Sequence, residues 1–235
     1  MKQIQHGILL KKINYSESSL ILHFFTLEEG FQAGIFQGGK KKKGNILQAL
    51  NIVEISLSKR VDSELNKIHE VNLIYTPQSI PYHPIKSGLA FFMTEVLAQV
   101  LSRSEKDVTL FEFLEKEIQW IDLSDELTNY PLWWMIKLIE KLGLGIQTEE
   151  HGDTYFDLLD GTILKYKPNS HQYIQDTTIP LLSELVSLDK NTCMAKVIQK
   201  TDRRVLLEHL ILYYKTHIQG FKTPHTIQIM QTIFE

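Results

Sequence analysis

Cysteine is almost absent from this chain of 235 residues, which holds only Cys193. A single thiol can form neither a disulfide within the chain nor a thiolate cluster for zinc, so a disulfide scaffold and a cysteine zinc finger are excluded. Long apolar runs are also missing: none approaches the roughly 18 residues that a membrane-spanning helix needs. The N-terminal residues 1–5 (MKQIQ) form no apolar signal core. We therefore expect a cytoplasmic protein, associated with the nucleoid if it binds DNA, and no membrane partner.

Signatures of enzyme chemistry are equally scarce. None of the nine histidines stands three or four residues from another, as a zinc-binding pair on a helix requires. Gly38-Gly39 lacks the Gly-Lys-Ser/Thr ending of a nucleotide-binding loop and is expected to lead into a strand rather than a helix. The acid pairs Glu28-Glu29 and Glu149-Glu150 lie in predicted loops, without a second cluster that would complete a metal nuclease. We expect no catalysis, no cofactor and no bound metal.

Acidic residues slightly outnumber basic ones, yet the charge is distributed unevenly. The whole chain carries −3, but residues 1–75 hold ten Lys and Arg against seven Asp and Glu, which leaves +3 there and −6 in the remainder. Because charges beyond a Debye length of roughly 8–10 Å are screened, a polyanion responds to the local balance. An anionic ligand is therefore expected at the first third of the chain.

That first third is predicted to form five short strands. Its apolar residues are mostly β-branched or aromatic and alternate with polar ones, and Glu29-Gly30 supplies the turn of a hairpin. Five short strands in such a length favour a closed barrel, which leaves no exposed edge, and the OB-fold is the common five-stranded barrel that binds nucleic acid. The predicted strands are 4–13, 18–26, 31–36, 46–57 and 65–75.

Helical periodicity follows a segment with three prolines, residues 76–84. The helix predicted at 131–142 is apolar nearly all round and is therefore expected at the centre of its domain, and a small hairpin is predicted around Asp160-Gly161. The fold class is thus α+β: an OB-fold at 1–76, a linker at 77–84 and a helical domain at 85–235, with the hairpin at 145–175. The remaining helices are predicted at 85–101, 107–121, 179–188, 192–199, 202–219 and 226–234.

The most unusual stretch is the run of four lysines that follows Gly38-Gly39. Four adjacent ammonium groups repel one another, so they must project into water or against an anion. A solubilising loop is one interpretation, but the position between two strands of a barrel favours a polyanion, with phosphate as the leading contact. Phe36 lies beside the run in the polar phase of its strand and is the candidate for stacking on bases. The predicted cationic contacts are Lys40, Lys41, Lys42 and Lys43, supported by Lys11, Lys12, Lys59 and Arg60.

These residues resemble a known family, the RecO recombination mediators of bacteria. Residues 15–22 (YSESSLIL) and 25–30 (FTLEEG) are similar to the family signature of Tyr-Ser-Glu, a short apolar strand and Phe-Thr-x-Glu-x-Gly. The lysine run stands where the family has Lys-Gly-Ala-Arg and further basic residues. Residues 142–145 (LGLG) resemble the family's Leu-Leu-Gly-Tyr-Gly. The likeness is dense over residues 7–57 and looser beyond.

The resemblance implies an OB-fold that binds single- and double-stranded DNA, strand annealing without nucleotide hydrolysis, partnership with RecR, and help in loading RecA during the response to DNA damage. It also implies contact with the acidic C-terminal tail of single-stranded-DNA-binding protein. Many members carry a four-cysteine zinc site that is missing here, so we expect a metal-free hairpin. Residues 132–134 (LWW) stand where some members have an arginine pair that is associated with the tail. The tail would then be held near Trp133 by Lys137 or Lys141.

Two other function classes compete with a DNA-binding mediator. A protein-interaction adaptor would use the acidic helical domain as its binding surface, with a lysine run that serves only solubility. A nuclease would need a carboxylate cluster that the sequence does not supply.

Overall fold

The computed structural model describes residues 2–43, 47–59, 65–149, 154–228 and 230. The chain forms two compact units. The first comprises the residues up to Ser124 together with Pro224–Met230, and the second comprises Asp125–Thr223. The proline-rich segment follows the last barrel strand and leads into the first long helix of the same unit. No helix within the described ranges is long and apolar enough to cross a membrane.

The first unit contains the predicted five-stranded barrel. It closes in the order β1-β2-β3-β5-β4, with β3 and β5 parallel and the other neighbours antiparallel. A helix of five residues, α1 (Gly39–Lys43), connects β3 to β4. This arrangement confirms the prediction of an OB-fold. The strands are β1 (Gln3–Asn14), β2 (Leu20–Thr26), β3 (Gly30–Phe36), β4 (Ile52–Ser58) and β5 (Asn66–Tyr75).

The barrel interior is filled by alternate residues of each strand, as the two-residue period of a strand requires. Closure depends on Gly34, because a Cβ there would lie 2.7 Å from Cγ1 of Ile68 and 2.9 Å from the carbonyl oxygen of Asn66. A glycine in β3 therefore lets β5 approach closely enough to pair with it. The buried cluster is Leu9, Leu20, Leu22, Phe24, Phe36, Leu47, Val53, Ile55, Leu57, Ile68 and Val71.

The strand predicted from Ile46 begins later than expected. Ile46 itself lies outside the described residues, and residues 47–51 form a turn before β4. Leu50 adopts a left-handed φ of 65° and is fully buried, while the Asn51 side chain accepts a hydrogen bond from the Gln48 amide at 2.6 Å. The apolar pattern changes phase between the buried neighbours Ile52 and Val53, where the pairing of β4 with β5 shifts register.

Two helices complete the first unit after a single 3-10 turn at Ile80–Tyr82. They are α2 (Pro84–Val100) and α3 (Val108–Leu123). Near the end of α3, the buried carboxylate of Asp122 accepts hydrogen bonds from the Tyr75 hydroxyl and from three consecutive backbone amides that begin at Gln78. The proline-rich segment is thereby fixed to α3.

The C-terminal segment returns to the first unit. The carboxylate of Glu95, on α2, accepts hydrogen bonds from the backbone amides of His225 at 2.8 Å and Thr226 at 3.0 Å, and from the Thr226 hydroxyl at 2.8 Å. Met230, in the helical turn that follows, is fully buried. The rest of the predicted last helix lies outside the described residues.

The second unit is mainly helical and contains a small sheet. Its helix α4 (Tyr130–Lys141) is buried on most sides and packs against the other three, which confirms its predicted central position. The predicted hairpin is also confirmed, and the sheet gains two short strands at its edges in the order β6-β8-β7-β9. The other helices are α5 (Ile179–Ser187), α6 (Lys190–Ala195) and α7 (Lys200–His217), and the strands are β6 (Gln147–Thr148), β7 (Tyr155–Asp157), β8 (Thr162–Leu164) and β9 (Tyr173–Ile174).

Candidate nucleic-acid interface

The four lysines occupy α1, so the expectation that Gly38-Gly39 leads through a loop into a strand is wrong. Gly38 has a left-handed φ of 69°, and a Cβ on Gly39 would lie 2.6 Å from Cδ1 of Phe36 and 3.3 Å from a methyl group of Leu20. The two glycines therefore serve the turn out of β3 and the close packing of α1 against the end of the β2–β3 hairpin.

Hydrogen bonds fix α1 to its neighbours in the barrel. The backbone amide of Lys40 donates to the carbonyl oxygen of Ser18 in the β1–β2 turn at 3.1 Å. At the other end of α1, the Lys43 ammonium donates to the Asn72 side chain of β5 at 3.2 Å. The Lys43 carbonyl oxygen accepts a bond from the Leu47 amide at 3.1 Å. A helix too short to be stable alone is thus held by tertiary bonds.

The exposed cations at this end of the barrel come from α1 and β1. Lys41 is exposed and Lys40 half-buried, and no described carboxylate of the first unit pairs with either ammonium group. The Lys42 side chain lies outside the described residues. Lys12 is exposed and donates to the Leu47 carbonyl oxygen at 2.7 Å. The neighbouring exposed Lys11 is paired with His23 of β2. Because the Leu47 amide bonds to Lys43, the structure brings Lys12 to the end of α1, whereas Lys11 lies farther along β1.

Lys59 does not join this group. Its ammonium lies 3.2 Å from the Glu29 carboxylate, at the turn of the β2–β3 hairpin, whereas α1 packs at the opposite, open end. Strands of seven residues separate the two ends by roughly 20 Å. Arg60, expected beside it, lies outside the described residues. The expectation that Lys59 supports the lysine run is therefore corrected.

Phe36 also differs from expectation. Its side chain is only 2% exposed and belongs to the barrel core, so it cannot stack on a base while the barrel is closed. The phase of β3 explains the error: Phe36 pairs with the inward-facing Leu20 of β2, and Gly34 with the inward-facing Leu22. The alternate set, which begins at Phe31, faces outward and is half-buried.

The exposed aromatic residue at this end is Tyr15, which the sequence reasoning used only as part of a motif. Its side chain is 61% exposed. Its amide donates to the Ser19 carbonyl oxygen at 3.1 Å, in the same β1–β2 turn that Ser18 joins to α1. A tyrosine within a run of polar residues, Asn-Tyr-Ser-Glu-Ser-Ser, is the signal that could have identified it.

His23 adds no positive charge to this surface at neutral pH. Burial lowers the pKa of its imidazole, and the nearby Lys11 ammonium lowers it further. Its ring makes an edge contact with Phe31 at 5.4 Å between centroids. The positive field here therefore comes from lysines alone.

The residues proposed to meet a partner lie in the second unit. Trp133 is only 7% exposed, and the Lys190 ammonium lies 4.8 Å from its ring centroid, so the expected role of Trp133 as a contact is corrected. The Lys137 ammonium pairs with Glu140 at 2.8 Å, whereas Lys141 is exposed at the end of α4. In the portion of the chain that the structure covers, no three His, Cys, Asp or Glu side chains are grouped to hold a metal ion.

Comparison with known proteins agrees with this architecture. Two family models match, "Recombination protein O N terminal" over residues 1–77 and "Recombination protein O C terminal" over residues 82–226. Among curated proteins, the chain is similar to several that are named DNA repair protein RecO. That of Flavobacterium psychrophilum is 29% identical, with 97% of each chain covered. That of Christiangramia forsetii is 28% identical, also with 97% of each covered, and that of Phocaeicola vulgatus is 25% identical over the full length of both.

The two matches together span nearly the whole chain and follow the order of barrel and helices. The likeness to whole relatives is equally complete, so it is not confined to the barrel. The chain belongs to the recombination protein O (RecO) family of DNA repair and recombination proteins.

Proposed function

We propose that this protein is a recombination mediator that binds single- and double-stranded DNA through the lysines of α1, with Lys11 and Lys12 in support. The observation that carries this proposal is the fixed position of α1. Its backbone and Lys43 are held by the barrel, while the side chains of Lys40 and Lys41 remain available at the surface. A rigid base reduces the entropy that the lysines lose when phosphate orders them.

Binding of this kind recognises the sugar-phosphate backbone of the DNA and not its base sequence. Lysine ammonium groups act as point charges on phosphate oxygens, so affinity is supplied by release of counterions and falls with added salt. The proposed activity needs no bond-breaking: two strands held on a cationic surface repel each other less, which favours annealing.

The proposed partners follow from family membership and not from a contact within the structure. We propose that the protein acts with RecR to load RecA on strands coated by single-stranded-DNA-binding protein, whose acidic tail would meet the second unit near Lys141. We also keep a DNA-binding domain at 1–76, a linker at 77–84 and a helical partner-binding domain at 85–235 as a functional division. An adaptor without DNA binding is the competing function, favoured by the excess of acidic residues after residue 75.

The double variant Lys40→Ala/Lys41→Ala tests the DNA-binding proposal. Its matched control is Lys106→Ala/Lys116→Ala, which removes two exposed lysines from the same unit. Fluorescence anisotropy with labelled single strands and duplexes at several salt concentrations measures both affinity and salt slope. We expect weaker binding of every sequence, and a slope shallower by roughly 0.7–0.9 log units for each phosphate that is no longer neutralised. An affinity and slope equal to those of the control would refute the proposal and favour the adaptor.

A further inference from the structure

We propose that Tyr15 stacks on an unpaired base, and that it makes this DNA-binding surface prefer single strands to duplex. This inference rests on the proposed function, because the lysines of α1 supply the phosphate contacts beside it. Tyr15 is 61% exposed, whereas Phe24, Phe25 and Phe36 of the adjoining hairpin are at most 2% exposed. It is therefore the large aromatic side chain that this end of the barrel offers to a ligand.

The tyrosine is presented by a rigid turn. Besides the bond between the Tyr15 amide and the Ser19 carbonyl oxygen, the Ser16 hydroxyl accepts a hydrogen bond from the Ser19 amide at 3.1 Å. The Ser18 carbonyl oxygen in turn accepts the bond from Lys40. The base of the Tyr15 side chain is therefore fixed relative to α1, so a strand whose phosphates lie along the lysines has an aromatic face within the same surface.

The Tyr15 ring does not stabilise the turn through a polar or aromatic contact with the described residues. In the described part of the chain, the Tyr15 hydroxyl has no hydrogen-bond partner and the ring makes no aromatic contact. An exposed tyrosine with no partner is unremarkable alone. Its meaning here comes from its position between β1, which carries Lys11 and Lys12, and the turn that is bonded to α1.

Stacking on an aromatic ring distinguishes single-stranded from duplex DNA, whereas charge does not. The faces of bases in a duplex are covered by their neighbours, but every base of a single strand has a face that an aromatic ring can cover. Phosphates are available in both forms. The lysines should therefore bind single strands and duplexes alike, and Tyr15 should add affinity only for single strands, with little dependence on base identity.

Tyr15→Ala, Tyr15→Phe and the wild type provide the test, with thermal unfolding as a check that the fold is unchanged. The ligands are an oligothymidine strand, a duplex, and an abasic phosphodiester strand with the same charge as the oligothymidine. We expect Tyr15→Ala to bind oligothymidine about 5- to 150-fold more weakly, the range that corresponds to loss of one stacked base, with an unchanged salt slope. Its affinity for the duplex and the abasic strand should stay within about twofold of the wild type, and Tyr15→Phe should bind oligothymidine like the wild type because it keeps the ring.

Three outcomes would overturn the inference. The first is an unchanged affinity of Tyr15→Ala for oligothymidine. The second is an equal loss of affinity for all three ligands, which would mean that Tyr15 only positions the turn. The third is a Tyr15→Phe variant that binds oligothymidine as weakly as Tyr15→Ala does. Failure of the proposed function is distinguishable: in that case Lys40→Ala/Lys41→Ala would leave the abasic strand bound as before, whatever Tyr15 does.

Discussion

The substitution Asp122→Asn should destabilise the first unit strongly, because one carboxylate there accepts hydrogen bonds from five donors. Asp122 is only 5% exposed. Burial raises its pKa, but the hydrogen bonds that it accepts from Gln78, Tyr75, Ser79 and Ile80 outweigh burial and hold the pKa at about 2, against an ordinary 3.8. A depression of this size corresponds to about 2–3 kcal/mol of stability that the charged carboxylate contributes near neutral pH.

The depressed pKa of Asp122 determines the pH range in which this stabilisation is lost. Because the folded pKa of Asp122 is depressed, the stabilisation is fully present above the unfolded pKa near 4 and disappears as the pH falls through about 2. An asparagine at this position is uncharged, and its NH₂ group would face amide donors. We expect Asp122→Asn to lower the free energy of unfolding by about 2–4 kcal/mol at pH 7.

Urea unfolding followed by circular dichroism at pH 7 and at pH 3 measures both effects. The control is Glu112→Gln, which removes an exposed carboxylate from the same helix. Wild type and Glu112→Gln should lose stability from pH 7 to pH 3. Asp122→Asn should lose less, because it lacks the charged carboxylate whose contribution disappears at low pH. A variant as stable as the wild type at pH 7, with the same dependence on pH, would refute the reasoning.

Three further predictions concern the first unit. Burial and the adjacent carboxylate of Asp122 raise the pKa of Tyr75 to about 12, and burial also raises the pKa of Tyr213 and of Tyr214. Absorbance at 295 nm should therefore show one late-ionising tyrosine fewer in Asp122→Asn than in the wild type, because the pKa of Tyr75 moves toward its ordinary value; an equal number would contradict the contact. Gly34→Ala should lower the free energy of unfolding by roughly 1–3 kcal/mol, because its Cβ would clash with Ile68; an unchanged melting temperature would contradict this account. Glu95→Gln should accelerate hydrogen exchange at the two backbone amides that the carboxylate binds, and equal protection would show that the C-terminal segment is held by other contacts.

The existence of the barrel strands could be predicted because their composition is local information. Which set of side chains of a strand points into the barrel is not local information. Phe31 and Ile35 looked like the inner set of β3, yet pairing with Leu20 and Leu22 of β2 turns Phe36 inward instead. Register is decided by the partner strand, and an error of one residue exchanges the two faces. The pairing with β2 therefore excludes Phe36 from base stacking, whereas Tyr15 is exposed in the β1–β2 turn.

The lysine run shows the same division between local and non-local information. Its charge is evident from the sequence, but its helical conformation is not, since adjacent like charges disfavour a short helix. The bonds from Lys40 to Ser18 and from Lys43 to Asn72 supply the missing stability, and they join residues 22 and 29 positions apart. The proximity of Tyr15 to this helix follows from the bond between Lys40 and Ser18, which lies in the same turn as Tyr15.

The return of the chain to Glu95 has a consequence for biosynthesis. The first unit is assembled from two pieces of sequence, with the whole of Asp125–Thr223 inserted between them. On the ribosome, the Glu95 carboxylate therefore lacks these partners until Asp125–Thr223 and the segment that follows it have been translated. A nascent chain that stalls before His225 would expose the surface that later buries Met230, so synthesis of Pro224–Met230 is a checkpoint for completion of a unit whose larger piece is made before Asp125.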